Sequence, residues 1–352
     1  NYMINRQYMA KEEEYCTPQV FALAEQFLSK NKDIDNWFLQ IECFDPHEPF
    51  HAPKRFKELF PTNYDGPILD WPIYDRVKET REEISELKAN YAALVTMVDE
   101  YFGKLLDYFD RYDLWKDTAL ILTTDHGFLL GEHDWWAKNR MPVYNEIAHI
   151  PLMIYHPDFK NKAGARINSL TQTIDIMPTF LDFFGLDIPS DVSGNSLLNV
   201  LEKDNEIRKA LIFGYFGSAC NITDGEYTYF RYPEKMSATD LYEYTLMPTR
   251  MTSRFSIKEL SEMTLSNPFK FSKGLKLLKL KPKVSDKNDP LEVQGMTFED
   301  TNSKLFNVNS DPRQELELDE PETVRQLVDE MIDLMTKADA PKEMFKRLNL
   351  NN

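Results

Sequence analysis

The sequence predicts an α/β fold, with a mainly parallel sheet flanked by helices, then a small C-terminal antiparallel sheet with a terminal helix. Three observations predict it. Short apolar runs alternate with amphipathic stretches through about Leu201, the pattern of a parallel sheet covered by helices. Beyond Leu201 the apolar runs are separated by turns such as Asp224-Gly225, the pattern of hairpins. At 352 residues the chain has room for about two domains of roughly 150 residues each. A hydrophobic fraction of 42%, with 13% aromatic residues, is enough to give them a core. The change of pattern puts the core portion at 1–201 and a smaller α+β subdomain at 202–352.

The elements follow in order. Thr17-Pro18 ahead of Val20, Phe21, Leu23, Ala24, Phe27 and Leu28 reads as an N-cap, a proline at the first helical position and an amphipathic helix. Trp37-Phe38-Leu39-Gln40-Ile41 reads as a buried strand, and the prolines of Asp45-Pro46-His47-Glu48-Pro49-Phe50 end it in an extended loop. From about Arg76 to Tyr112, residues Ile84, Leu87, Tyr91, Leu94, Val95, Val98, Leu105 and Leu106 keep a helical period after an irregular start. Ala119 to Leu122 and Pro151 to Tyr155 are short apolar strands, and a helix beginning at Ile174 stops at Gly185. In the second part, Leu211–Phe216, Tyr227–Tyr232 and Leu305–Val308 read as strands. The segment from Thr249 to Thr297 lacks a sustained period and reads as an excursion over the surface. Glu322 to Lys337 closes the chain as an amphipathic helix, and no internal repeat is found.

A net charge of −17 argues against nonspecific binding to nucleic acid or to an anionic membrane, because phosphate backbones are held by clustered Lys and Arg. Cys16, Cys43 and Cys220 are too few and too scattered for a disulfide framework or a zinc cluster, which favours a reducing, cytoplasmic setting. There is no run of 18 apolar residues and no signal-peptide pattern, so no membrane span is expected.

The most informative stretch is Thr123-Thr124-Asp125-His126-Gly127, followed by Gly131-Glu132-His133 and by Lys138. Side chains at the carboxyl end of a buried strand project into the crevice where open α/β sheets bind ligands. A carboxylate oxygen suits Ca2+ or Mg2+ and an imidazole nitrogen suits Mn2+ or Zn2+, so Asp125 and His126 are candidate ligands of a divalent cation. Two ligands do not complete a site. The same triplet would also serve with Asp125 capping the next turn and His126 a satisfied polar residue. Gly127 lets the chain turn away, and Gly131 permits a second close approach of backbone.

Taken in series, these motifs with Tyr144-Asn145-Glu146 and Ile150-Pro151-Leu152 resemble the second half of the sulfatase family, within the alkaline phosphatase superfamily. Pro46-His47-Glu48-Pro49-Phe50 resembles that family's Pro-His-x-Pro-Phe loop. Asp175-Ile176-Met177-Pro178-Thr179, with Gly185 and Gly194-Asn195-Ser196-Leu197, resembles its post-core helix. Leu305-Phe306-Asn307 with Asp311-Pro312 resembles its Leu-Tyr-Asp-Leu-x-x-Asp-Pro strand. The resemblance implies an alkaline phosphatase-like fold, a sulfuric ester hydrolase activity and one divalent cation, Ca2+ first with Mg2+ or Mn2+ as alternatives. It implies that Asp125 and His126 are metal ligands and that Lys138 and His47 hold the oxygens of a sulfate or phosphate ester. His47 would then be the general acid at the leaving group, where a cation and a proton donor stabilise developing charge.

One part of the family pattern is missing from this sequence. Neither an Asp-Asp pair at a strand end nor a Cys-x-Pro-x-Arg or Ser-x-Pro-x-Arg motif, the source of the formylglycine nucleophile, occurs in it. Cys16-Thr17-Pro18-Gln19-Val20 lacks the arginine and reads as a helix start. The resemblance therefore implies that formylglycine lies upstream of Asn1, on a missing N-terminal segment that would be a partner of this chain, and that the chain alone is inactive. The alternatives are a phosphonate monoester or phosphodiester hydrolase, since His126 stands where many sulfatases have Asn, and a non-catalytic sulfatase-like binding domain.

Overall fold

The computed structural model describes residues 2–139, 142–234, 241–247, 249–250, 253–282 and 302–350. The chain forms two compact units that interleave along the sequence. One comprises 1–123, 128–137 and 151–163, and the other 124–127, 138–150 and 164–352.

In the first unit, helix α1 (Cys16–Asn31) starts two residues earlier than the proline rule suggests, with Tyr15 as N-cap and no side-chain cap bond. The Thr17 hydroxyl is fully buried and donates instead to Asp45 Oδ2 at 2.7 Å, so a tertiary partner replaces the expected cap. Helix α2 (Arg81–Arg111) opens with a capping box. Thr80 Oγ1 accepts from the Glu83 amide, and Glu83 Oε2 accepts from the Thr80 amide. Phe21 and Leu28 of α1 pack with Leu105 and Phe109 of α2.

Trp37, Leu39, Ile41 and Cys43 pack on that cluster, while Phe38 and Phe44 are more than half exposed. This is the period of two that marks a strand. Among the described residues, however, the stretch pairs with no neighbour, so the expected strand is present only as a burial pattern. Strand β1 (Leu120–Thr123) follows, then the hairpin β2 (Leu129–Leu130) and β3 (Trp136–Ala137), then β4 (Leu152–Tyr155).

Strands β1 and β4 pair antiparallel, Leu120 opposite Tyr155 and Thr123 opposite Leu152. Every ladder among the described residues is antiparallel, so the mainly parallel sheet expected from the alternation is not formed by them. The reason is local. Between β1 and β4 the chain doubles back through a hairpin and a four-residue helix, with no long crossover helix of the kind that parallel neighbours need.

The second unit contains the short helix α3 (Asn145–Ala148) and α4 (Ile176–Phe183), which stops before Gly185 as expected. Strands β5 (Leu211–Gly214), β6 (Cys220–Thr223) and β7 (Tyr227–Arg231) follow. Next come β8 (Glu243–Thr245), β9 (Thr264–Leu265), β10 (Leu278–Leu280) and β11 (Lys304–Asn307), then helices α5 (Pro321–Lys337) and α6 (Lys342–Arg347). The order β11-β7-β6-β5 makes the expected small antiparallel sheet, with β6 as a strand the sequence did not announce. Ile222, Tyr229 and Leu305 of this sheet pack against Leu327, Met331 and Met335 of α5.

The presumed surface excursion supplies β9, β10 and a capped helical turn at Ile257–Glu262, with Ser256 and Glu259 as its capping box. Residues 251–252 and 283–297 of that segment lie outside the described residues.

One buried charge organises the start of α4. Arg208 donates two hydrogen bonds of 2.6 Å to the two oxygens of Asp175, which also accept from the Gln172 amide at 2.7 Å and the Asn195 amide at 2.9 Å. The Asp175 side chain is fully buried and that of Arg208 nearly so, at 11% exposure. Truncating one partner strands the other charge, which costs about 3–5 kcal/mol. Arg208→Ala is therefore expected to lower unfolding free energy by that order in a denaturant titration, whereas Arg325→Ala at an exposed pair should change it by under about 1 kcal/mol.

Candidate functional site

The carboxyl end of β1 delivers the Asp-His-Gly triplet as a tight turn. Gly127 lies against α3. Its amide donates to the Ile147 carbonyl at 2.9 Å, and a Cβ placed there would sit 1.8 Å from the Glu146 carbonyl oxygen. Only glycine fits that approach. Helix α3 is tied in turn to the C-terminal motif, the Asn145 amide donating to Gln314 Oε1 at 2.7 Å and its side-chain amide to the Pro312 carbonyl at 2.9 Å. The Tyr144 ring packs on Phe230 and Phe306.

Asp125 is largely exposed, at 84%, and its Oδ1 accepts the His126 amide at 2.9 Å. The His126 Nδ1 lies 2.9 Å from the Gly127 carbonyl. A carbonyl can only accept, so Nδ1 carries the proton and Nε2 keeps a lone pair in the neutral ring. That Nε2 is 3.6 Å from Asp125 Oδ2. Two adjacent ligands of one Ca2+, Mg2+ or Mn2+ ion are about 3 Å or slightly more apart at ordinary bond lengths, so the pair has the donor types and spacing for a shared cation. Among the described residues no third carboxylate, thiolate or imidazole joins them to form a cluster. Asp125 and His126 alone do not complete a coordination sphere.

Lys138 belongs to the same unit as Asp125 and His126 and directly follows the β2–β3 hairpin. In that hairpin Gly131 takes φ +102°, a left-handed turn conformation. Trp135 and Trp136 are almost wholly buried, and the Trp136 indole donates to Glu79 Oε2 at 2.6 Å. Lys138 itself is only 5% exposed, which is rare for a lysine. Both neighbours are left-handed, Ala137 at φ +76° and Asn139 at φ +77°. Such backbone costs on the order of 1 kcal/mol or more per non-glycine residue and gathers where a side chain must be presented in one way.

His47 belongs to the other unit. Its Nδ1 lies 2.6 Å from the Glu48 carbonyl and its ring packs on Phe44 at 4.6 Å between centroids. Like His126 it is the Nδ1–H tautomer when neutral, leaving Nε2 for chemistry. Glu48, read from sequence as a spacer, is fully buried, with Oε2 3.5 Å from His47 Nδ1 and Oε1 accepting from the Tyr74 hydroxyl. It orients His47, and a glutamate between two prolines was the one sequence signal for it. Cys16 sits in the first turn of α1 and burial pushes its thiol pKa up, the opposite of an activated nucleophile.

Residues 1–186 match the family described as Sulfatase. The chain belongs to the sulfatase family. Residues 131–270 also match the C-terminal region of N-sulphoglucosamine sulphohydrolase. The chain is 30% identical over 221 residues to an N-acetylglucosamine-6-O-sulfatase of Bacteroides thetaiotaomicron, a match covering 59% of this chain and 38% of that protein. It is 27% identical over 230 residues to an arylsulfatase of Clostridium perfringens, covering 61% of this chain and 47% of that one. The chain thus spans less than half the length of these sulfatases. The crystal structure of the phosphonate monoester hydrolase of Agrobacterium radiobacter superposes with a TM-score of 0.58 at 19% identity, over 94% of this chain and 62% of that one, a likeness of fold.

Two outcomes follow from this geometry. Gly127→Ala drives a methyl group into backbone and should cost about 1–3 kcal/mol, measured by thermal unfolding. His51, four residues beyond His47, contacts the Tyr15 hydroxyl at 3.2 Å, and burial, aided by Arg6, holds its pKa down to about 4 from 6.5. The unfolded chain therefore protonates first. The stability that neutral His51 contributes is complete above about pH 6.5 and is lost as pH falls towards 4. Denaturation midpoints of the protein should drop between pH 7 and pH 5 more steeply than those of His51→Gln.

Proposed function

We propose that this chain carries part of the active site of a metal-dependent sulfuric ester hydrolase, with His47 and Lys138 facing the ester and Asp125 and His126 holding the cation. The observation that supports it most is the sulfatase match over 1–186, which spans all four residues. A divalent cation, Ca2+ first and Mg2+ or Mn2+ as alternatives, supplies Lewis-acid stabilisation of the ester oxygens when bound.

The chain's own residues supply the rest. The Lys138 ammonium, a compact point charge with three donors, holds sulfate oxygens and offsets charge that builds as the ester bond breaks. His47, with Nδ1–H fixed on the Glu48 carbonyl, presents Nε2 to the leaving-group oxygen and donates its proton there when charged. The substrate is an anionic sulfate ester, and the net charge of −17 gives neither a nucleic acid nor an anionic membrane surface an electrostatic foothold. No helix among the described residues is long and apolar enough to cross a membrane. The nucleophile, formylglycine in this family, comes in our reading from a polypeptide segment outside this sequence, and the chain without it is inactive.

A second reading is favoured by one feature. His126 replaces the Asn found in many sulfatases, and the shared fold includes a phosphonate monoester hydrolase, so phosphonate monoesters or phosphodiesters are the nearest alternative substrates. A non-catalytic sulfatase-like domain would bind sulfate without turnover.

The test is an assay of the chain joined to its nucleophile-bearing segment, on an aryl sulfate and on a phosphonate monoester. Lys138→Ala should lower kcat/KM on the preferred ester by about 100- to 1,000-fold, the loss typical of one transition-state donor. His47→Asn should slow esters with poor leaving groups far more than nitrophenyl esters. Turnover of neither ester by the metal-loaded protein, or a Lys138→Ala variant of unchanged activity, would sink the reading.

A further inference from the structure

Lys138 is held in place by a post built from the other end of its unit. The Asn139 amide donates to the Tyr215 phenol oxygen at 3.2 Å, so the residue directly after the lysine is tied to the turn that joins β5 to β6. That turn is itself rigid. The Ser218 amide donates to the Tyr215 carbonyl at 3.1 Å, Ser218 and Ala219 are buried, and Arg347 of α6 donates to the Gly217 carbonyl at 2.7 Å. The Tyr215 ring is half-buried, and burial raises its pKa, which keeps the hydroxyl protonated at neutral pH.

The backbone at Lys138 needs such a restraint. Ala137 and Asn139 both take left-handed conformations that an unrestrained chain leaves readily, and the lysine between them is nearly buried.

We propose that Tyr215 is a positioning residue for Lys138, its phenol oxygen holding the Asn139 amide and through it the left-handed pair that fixes where the lysine amine sits. Its importance for catalysis rests on the role of Lys138 argued above, but the positioning itself does not. Nothing in the sequence around Tyr215 marks this link, because it joins positions 76 residues apart.

The test is acylation of lysine amines in the full chain with N-hydroxysuccinimidyl acetate, read residue by residue by mass spectrometry, for the wild type and for Tyr215→Phe. Lys54, whose side chain is 89% exposed, is the internal reference. The Phe variant keeps the ring and deletes only the acceptor. It should speed acylation at Lys138 by roughly tenfold, the order expected when one hydrogen bond holding a loop is removed, with Lys54 unchanged and the melting temperature near that of the wild type. An unchanged rate at Lys138 overturns the proposal. A rise at the part-buried Lys57 and Lys279 as well, together with a fall in melting temperature, also overturns it, because Tyr215 would then be a general packing residue.

A second arm adds sodium sulfate. Slower acylation of Lys138 in the wild type, and less protection in Tyr215→Phe, links the positioning to anion binding. If sulfate gives no protection while the Phe effect persists, the reading of Lys138 as an ester-binding residue fails and the positioning role stands.

Discussion

The contact on which the second unit's arrangement depends is the approach of Gly127 to the backbone of α3. It joins the Asp-His-Gly turn to Asn145–Ala148 with no side chain between them, and α3 in turn holds Gln314 and Pro312. Motifs near residues 126, 145 and 312 therefore form one mechanical piece. Asp125 can stay exposed, at a position where exposed carboxylates are normally mobile, because its backbone is set by this contact and its Oδ1 by the His126 amide.

The same economy of means recurs at the two ends of the sheet β11-β7-β6-β5. One face packs on α5 through Ile222, Tyr229 and Leu305 and gives the unit its core. The other face carries Phe230 and Phe306, on which Tyr144 rests. A sheet that looks like a C-terminal appendage in the sequence is thus the floor beneath α3. The Asp175–Arg208 pair, fully satisfied by backbone amides, fixes the start of α4 in the same unit. Buried charge is tolerable there because each Asp175 oxygen has two donors.

Much of this was legible in the sequence. Helices α1, α2 and α5, and strands β1, β4, β5, β7 and β11, follow apolar periods that burial enforces, and they lie within a few residues of where those periods put them. What was not legible depends on neighbours. Thr17 looked like a cap and is a buried donor to Asp45, because a hydroxyl takes whichever acceptor the tertiary fold offers. The apolar runs at β1 and β4 suggested a parallel sheet, yet strand direction is decided by the connection, which here doubles back. Strand β6 was missed because Cys220-Asn221-Ile222-Thr223 has only one large apolar residue, and its place between two partners makes it a strand. Trp37–Cys43 shows the reverse case: its side chains have a strand's alternation while its backbone has no ladder among the described residues. Alternation is set by the core beneath a strand, and a ladder needs an edge beside it. The residue types of Asp125, His126, Lys138 and His47 were readable, whereas the contacts that Glu48 and Tyr215 make are encoded by no spacing.

The two imidazoles share one local device. Both His47 and His126 direct Nδ1 at a carbonyl close in sequence, Glu48 for the first and Gly127 for the second, so each is locked as the same neutral tautomer with Nε2 outward. What Nε2 can do is then set by its surroundings. At His126 a carboxylate oxygen lies 3.6 Å away, and two lone-pair groups at that separation are brought together by a cation more readily than by each other. At His47 the carboxylate of Glu48 is on the Nδ1 side, and Phe44 covers the ring. The two histidines thus share a tautomer and differ in where a neighbouring carboxylate lies relative to the ring, on the Nε2 side at His126 and on the Nδ1 side at His47.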